Sequence, residues 1–183
     1  MGKITTAYLL TCAAIGVASG IVLAVGWWVS LGLFATVPFA SVAIAGLWVM
    51  PAVIALRLLN RPFAGLLVGV ISGLVLTPFW TISAVATTVF WSLFPELPFL
   101  VTLYRRWSTW LHYAGGAAIG IGYPILAAQS FDLWSMSPLL VVLFIGLCAV
   151  SCVVGTWAGI LIADRLRAAG VARLARRRAP RAS

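Results

Sequence analysis

Few residues in this chain can do chemistry, and their spacing narrows the choice. The sequence holds three acids (Glu96, Asp132 and Asp164), one histidine (His112) and three cysteines (Cys12, Cys148 and Cys152). The acids fall in three separate segments, so no carboxylate pair is available for general acid–base work. Cys148 and Cys152 share a helix face, but no histidine or carboxylate accompanies them to complete a metal site, and they read as small buried residues. No glycine-rich loop running into Lys-Ser/Thr is present, so nucleotide hydrolysis by that route is excluded. The reading is therefore of a protein that is not an enzyme and carries neither a resident metal nor a cofactor.

Glu96 is the exception. It lies in a long apolar run, where a carboxylate costs about 3 kcal/mol or more unless it faces a cavity or a partner. Thr88, Ser92 and Glu96 recur every four residues and so form one stripe on a helix. Pro95 and Pro98 flank the acid. Each removes a backbone donor and frees a carbonyl one turn earlier, around Trp91 and Phe94, a feature tolerated where it lines a cavity or meets other protein. Trp48 and Trp91 also lie inside apolar runs, where they could stack on a flat heterocycle or a cation or face lipid. Glu96, Ser92, Thr88, Trp91 and Trp48 are thus the candidate ligand-binding residues. The alternative for Glu96 is a kink cap or an ion pair with Arg57 or Arg105, carrying no ligand.

The elements that must position these residues follow from composition. Of 183 residues, 63% are hydrophobic and only 8% charged, with 12 basic side chains against 3 acidic ones. A soluble domain carries about 25% charged residues, so lipid must be the solvent. The basic residues cluster at Lys3, at Arg57 and Arg61, at Arg105 and Arg106, and between Arg165 and Arg181. Between the clusters lie three apolar stretches, 4–56, 62–104 and 107–163, each long enough for two spans of about 20 residues. Each has a breaker near its middle: Ser30–Pro38, Thr77-Pro78, and Gln129–Pro138. The expected architecture is all-α, with six transmembrane helices: Thr5–Trp28, Pro38–Leu56, Pro62–Leu76, Ile82–Leu103, Thr109–Ala128 and Pro138–Ala163. The third is short and is expected to start before Pro62 or to sit tilted. Every Lys and Arg then falls on one face, which the positive-inside rule makes cytoplasmic together with both termini. The apolar run after Lys3 exceeds the length of a signal-peptide core, so it reads as a retained helix. Residues 1–163 make one transmembrane domain and 164–183 a basic cytoplasmic tail, which anchors topology at anionic lipid rather than binding nucleic acid.

Small residues recur on the first span. Cys12, Gly16, Gly20 and Ala24 stand four apart, with Ala14 and Ala18 beside them, a face that lets another helix approach closely. Packing within the chain and docking of a partner both fit. Tryptophans Trp27, Trp28, Trp80, Trp107, Trp110 and Trp134 fall near span ends and read as interfacial belts, and His112 as an interfacial residue.

Three segments carry a family resemblance: RPFAGLLVGVISGL (Arg61–Leu74), PELPFLVTLYRRW (Pro95–Trp107) and ADRLRAAGVARLARRR (Ala163–Arg178). With them the chain resembles the substrate-binding (S) components of energy-coupling factor (ECF) transporters, bacterial vitamin importers, and most of all the YkoE-like type associated with thiamine or its hydroxymethylpyrimidine precursor. The resemblance implies a multi-pass protein of the bacterial cell membrane that captures a small ligand. It also implies a membrane coupling subunit and ATPase subunits on separate chains. Glu96 matches the family's intramembrane acid, and Ala14 and Ala18 its docking face on the first helix, next to Gly16 and Gly20. With Trp91–Pro95 reading WSLFP, the pocket should be more apolar and aromatic than in thiamine binders. The competing expectation is a non-catalytic accessory or assembly subunit of a larger membrane complex.

Overall fold

The computed structural model describes residues 5–171. Lys3 and the part of the basic tail beyond Val171 lie outside the described residues. Among those residues the secondary structure is entirely helical: α1 (Thr6–Thr36), α2 (Pro38–Ser41), α3 (Gly46–Leu59), α4 (Ala64–Leu76), α5 (Ser83–Val101), α6 (Thr109–Leu126) and α7 (Pro138–Ala168). Four helical segments are long and apolar enough to cross a membrane: Thr6–Thr36, Phe39–Leu59, Ser83–Val101 and Pro138–Ala168. A shorter apolar helix covers Ala64–Phe79. The chain is a multi-pass membrane protein.

Five of the expected spans each correspond to one helix with shifted ends, whereas Pro38–Leu56 is divided between α2, a 3-10 turn at Val42–Ile44 and α3. α1 continues through Ser30 to Thr36, because nothing before Val37 and Pro38 interrupts its hydrogen bonds. α4 begins at Ala64, later than expected: Phe63 adopts φ 60°, a left-handed conformation from which the helix starts. α7 passes the expected limit at Ala163 and ends at Ala168, with Arg165 and Arg167 in a last turn whose carbonyls favour cations. Pro95 and Pro98 are accommodated within a continuous α5.

α3 is the hub. It packs against α1, α4, α5 and α7, and the remaining contacts run α1–α4–α5–α6–α7 around it. Its buried residues extend from Gly46 to Leu59, all round the helix, as expected of an element enclosed by others. α1 and α7 stand at the two ends of that series and turn apolar side chains outward, among them Ile21, Val25, Val142 and Val154. Such exposure suits lipid-facing helices.

Two close approaches hold the bundle. At the start of α3, a Cβ on Gly155 would overlap the Gly46 backbone and a Cβ on Gly46 would overlap the Ser151 carbonyl, so α3 and α7 meet main chain to main chain. Ser151 locks this crossing: the Gly46 N–H donates to its hydroxyl at 3.0 Å, and the hydroxyl donates to the Ala43 carbonyl at 2.7 Å. At the other end, Arg57 of α3 makes a two-pronged bond to Asp164 of α7, Nε to Oδ1 at 3.0 Å and Nη2 to Oδ2 at 3.2 Å. Arg57 also donates to Thr109 of α6 at 3.2 Å, so this arginine is engaged by Asp164 rather than by Glu96.

The crossing predicts opposite behaviour for two glycines of α7. Gly155→Leu should cost about 3 kcal/mol or more through overpacking, seen as a large fall in detergent melting temperature. Gly146→Ala, with nothing within 4 Å of the added carbon, should hold or slightly raise it.

Candidate functional site

Away from the Arg57–Asp164 end, α1, α3, α5 and α6 diverge around a cavity of about 320 Å³, at the low end of small-ligand sites. Trp27, Ser30, Leu31 and Phe34 line it from the second half of α1, and Ser41, Val42, Ala45 and Trp48 from the broken helical entrance to α3. Trp80 comes from the α4–α5 turn, Thr87 and Trp91 from α5, Tyr123 from α6, and Ser130 and Phe131 from the α6–α7 turn.

The aromatic members form an unbroken chain around the cavity. Trp27 stacks on Trp80, with ring centroids 3.8 Å apart and planes 13° from parallel. Trp80 meets Trp48 edge-on at 6.2 Å, Trp48 meets Trp91 at 6.4 Å, and Trp91 meets Tyr123 at 4.7 Å. The chain continues to Phe131 at 6.0 Å and from there to Phe34 at 5.8 Å. It begins and ends on α1, because Trp27 and Phe34 are seven residues apart and share a face. The hydroxyls of Ser30, Ser41, Thr87 and Ser130 interrupt an otherwise apolar surface. Aromatic faces with a few polar groups suit a flat ring, which they grip by stacking, or by cation–π attraction if it is positive.

Of the candidate ligand-binding residues, Trp48 and Trp91 line this cavity, while Thr88, Ser92 and Glu96 lie outside its lining. The stripe exists, but it faces α4. A Cβ added to Gly73, Gly69 or Gly65 would collide with Thr88, Ser92 or Glu96, respectively. Three polar side chains of α5 thus seat on three glycines of the antiparallel α4. Thr88 satisfies its hydroxyl on the Ala84 carbonyl at 3.0 Å. The neighbouring Thr87, about 100° around the helix, is the threonine that reaches the cavity.

Glu96, 1% exposed, caps α4. Its Oε1 accepts from the Phe63 N–H at 2.7 Å and the Tyr104 hydroxyl at 2.9 Å, and its Oε2 from the Leu66 N–H at 3.1 Å. No side chain of α4's own N-cap does this work, and the helix N-terminus favours a negative charge. Tyr104 lies beyond the end of α5, and burial, followed by the charge of Glu96, pushes its phenol above the ordinary range, so at neutral pH it is the donor.

The proposed docking residues divide into two faces. Gly16 and Gly20 are buried against Ile71 and Val75 of α4, and the Ser72 hydroxyl donates to the Gly16 carbonyl at 3.1 Å. That face is occupied within the chain. Ala14 and Ala18 are exposed on the opposite side of α1. Cys12, Cys148 and Cys152 are buried, and so is His112, expected at the interface but set beside the Phe99 ring at 4.8 Å. Trp28, Trp110 and Trp134 are exposed, consistent with belts, whereas Trp27 and Trp80 belong to the cavity. Sequence contained a signal for where the polar stripe points: Gly65, Gly69 and Gly73 repeat at the spacing of Thr88, Ser92 and Glu96, which marks that stripe as a helix contact.

The fold is that of an ECF transporter S component. The chain is similar to a crystal structure of such a component with a TM-score of 0.83 and 18% sequence identity, covering 93% of this chain and 89% of that one. Residues 8–122 match the model of a family described as the permease component of an ABC-type cobalt transport system. The chain belongs to that family, so both family and fold are those of a transport component. No curated protein matches the chain.

The geometry predicts different reactivity for adjacent threonines. In a background with the native cysteines replaced by serine, Thr87→Cys should react with a small polar thiol reagent at least about tenfold faster than Thr88→Cys, since thiol modification follows access.

Proposed function

We propose that the chain is the substrate-binding component of an ECF-type importer, capturing a small, flat, vitamin-like heterocycle in the aromatic cavity. A thiamine precursor or a related ring is the class of ligand we favour. The observation that carries this reading is the continuous aromatic chain from Trp27 through Trp48 and Trp91 to Phe34, around a cavity in an S-component fold. Stacking contributes about 1–3 kcal/mol per ring contact removed by alanine substitution, enough for several contacts to give tight binding. The family's description names cobalt, but the cavity lining offers aromatic faces and hydroxyls, with no His, Cys, Asp or Glu. That chemistry grips a ring better than a bare ion.

In the bacterial cell membrane, six spans with both termini in the cytoplasm would put Arg57, Arg61, Arg105, Arg106, Arg165 and Arg167 inside and the cavity outside. Ligand would then enter from outside, and energy would come from a membrane coupling subunit with separate ATPase subunits. A second reading, an accessory or assembly subunit, draws on the exposed apolar face of α1 around Ala14 and Ala18.

Titrating the purified full chain with thiamine, hydroxymethylpyrimidine and Co²⁺ while following tryptophan fluorescence tests the proposal. The two ring compounds should differ from Co²⁺ by giving a saturable change for at least one of them. Trp48→Ala and Trp91→Ala should each weaken it about tenfold or more. A chain whose fluorescence and melting temperature ignore a broad panel of vitamins and precursors would sink the importer reading. If such a chain still loses a co-purifying partner on Ala14→Leu, the accessory reading gains.

A further inference from the structure

The carboxylate of Glu96 has a use that ligand capture does not explain. It reaches two pieces of chain beyond the helices: the α3–α4 turn through the Phe63 N–H, and the α5–α6 loop through the Tyr104 hydroxyl. Both pieces are held in a conformation that L-residues rarely adopt. Phe63 has φ 60°, Leu103 φ 50° and Tyr104 φ 56°. Single residues of this kind persist where surrounding contacts over-determine them, and here the shared contact is Glu96. The rings of Phe63 and Tyr104 also meet, 5.6 Å apart.

The consequence is a surface. Phe63 is 51% exposed, Leu103 68% and Val101 81%, and Arg105 and Arg106 next to them are exposed as well. Left-handed backbone at Leu103 and Tyr104 turns the chain sharply just after α5, so large apolar side chains stand outward beside two cations. This surface lies at the Arg57–Asp164 end, away from the cavity. One helix connects the two ends: α5 carries Thr87 and Trp91 in the cavity wall and Glu96 in the latch.

We propose that Glu96 is a positioning residue for coupling. By latching the Phe63 turn to the Tyr104 loop, it shapes an apolar and basic platform that receives the importer's coupling subunit, through an apolar helix flanked by acidic residues. The inference rests on the importer reading above. Charge selects the partner's chemistry, since Arg105 and Arg106 favour acidic groups. Position supports it too: with both termini in the cytoplasm, the platform lies on the side where ATP is hydrolysed.

The test uses the full tagged chain expressed with its native partners, and three readouts. In Glu96→Gln and in Tyr104→Phe, amide exchange at residues 60–66 and 101–108 should quicken about tenfold or more, as expected when a hydrogen bond to a buried charge is lost. Thiamine or hydroxymethylpyrimidine binding should stay within about twofold of wild type, because the cavity wall is untouched. ATPase activity co-purifying in mild detergent should fall about tenfold or more. An Arg105→Gln/Arg106→Gln double variant should keep wild-type exchange in both segments yet lose the ATPase in the same way.

Unchanged exchange, ligand affinity weakened beyond tenfold, or full retention of the ATPase by the variants would each overturn the proposal. So would a double variant that keeps its ATPase and loses only stabilisation by anionic lipid, which would make the platform a lipid contact. A wild-type chain that binds ring ligands but brings down no ATPase overturns the coupling role and leaves the cavity reading standing. One that brings down an ATPase but binds no ring does the reverse.

Discussion

The join between α4, α5 and the loop after α5 depends on the burial of one carboxylate at the start of a helix. Taking a carboxylate out of water costs several kcal/mol even after relaxation, and Glu96 is 1% exposed. The cost is offset because α4 begins with open backbone donors that its own sequence does not cap. Phe63 and Leu66 supply two of those donors, and Tyr104 adds a third hydrogen bond. Either group alone would be a liability in an apolar surrounding; together they satisfy each other. Gly65 is required beside them, since a Cβ there would stand 2.6 Å from Oε2.

From this cap the α4–α5 pair takes its register. With α4's first turn tied to α5, Gly69 meets Ser92 and Gly73 meets Thr88, so the two axes approach closely along their length. α4's other face receives Gly16 and Gly20 of α1. Its far end runs into Thr77–Phe79 and delivers Trp80 against Trp27 and Trp48. One end of the bundle collects the ion pair and the arginines, the other the aromatic cavity. That division separates an end that carries charged side chains from a recess lined largely by aromatic ones.

Much of the fold was legible in the chain because lipid leaves little freedom. Long uncharged runs between basic clusters have to become helices, since backbone groups in hydrocarbon must be satisfied within the segment. The site was legible only in part. Trp48 and Trp91 stood out as aromatics inside apolar runs, but Trp27 and Trp80 resembled interfacial belts, and Phe34, Tyr123 and Phe131 gave no sign. Their grouping depends on α1 extending to Thr36 and on how α3, α5 and α6 splay, neither of which is a local property.

The amino-acid sequence by itself determined the helices, their rough limits, the segregation of charge and the existence of a polar stripe through Thr88, Ser92 and Glu96. Periodicity of 3.6 residues suffices to place residues on a common face. Which way that face points was decided by the tertiary structure. A helix cap supplied from 30 or more residues away leaves no local trace at the helix it caps. Only packing brings the carboxylate of α5 to the start of α4, and the same rotation of α5 turns Thr87 and Trp91 toward the cavity.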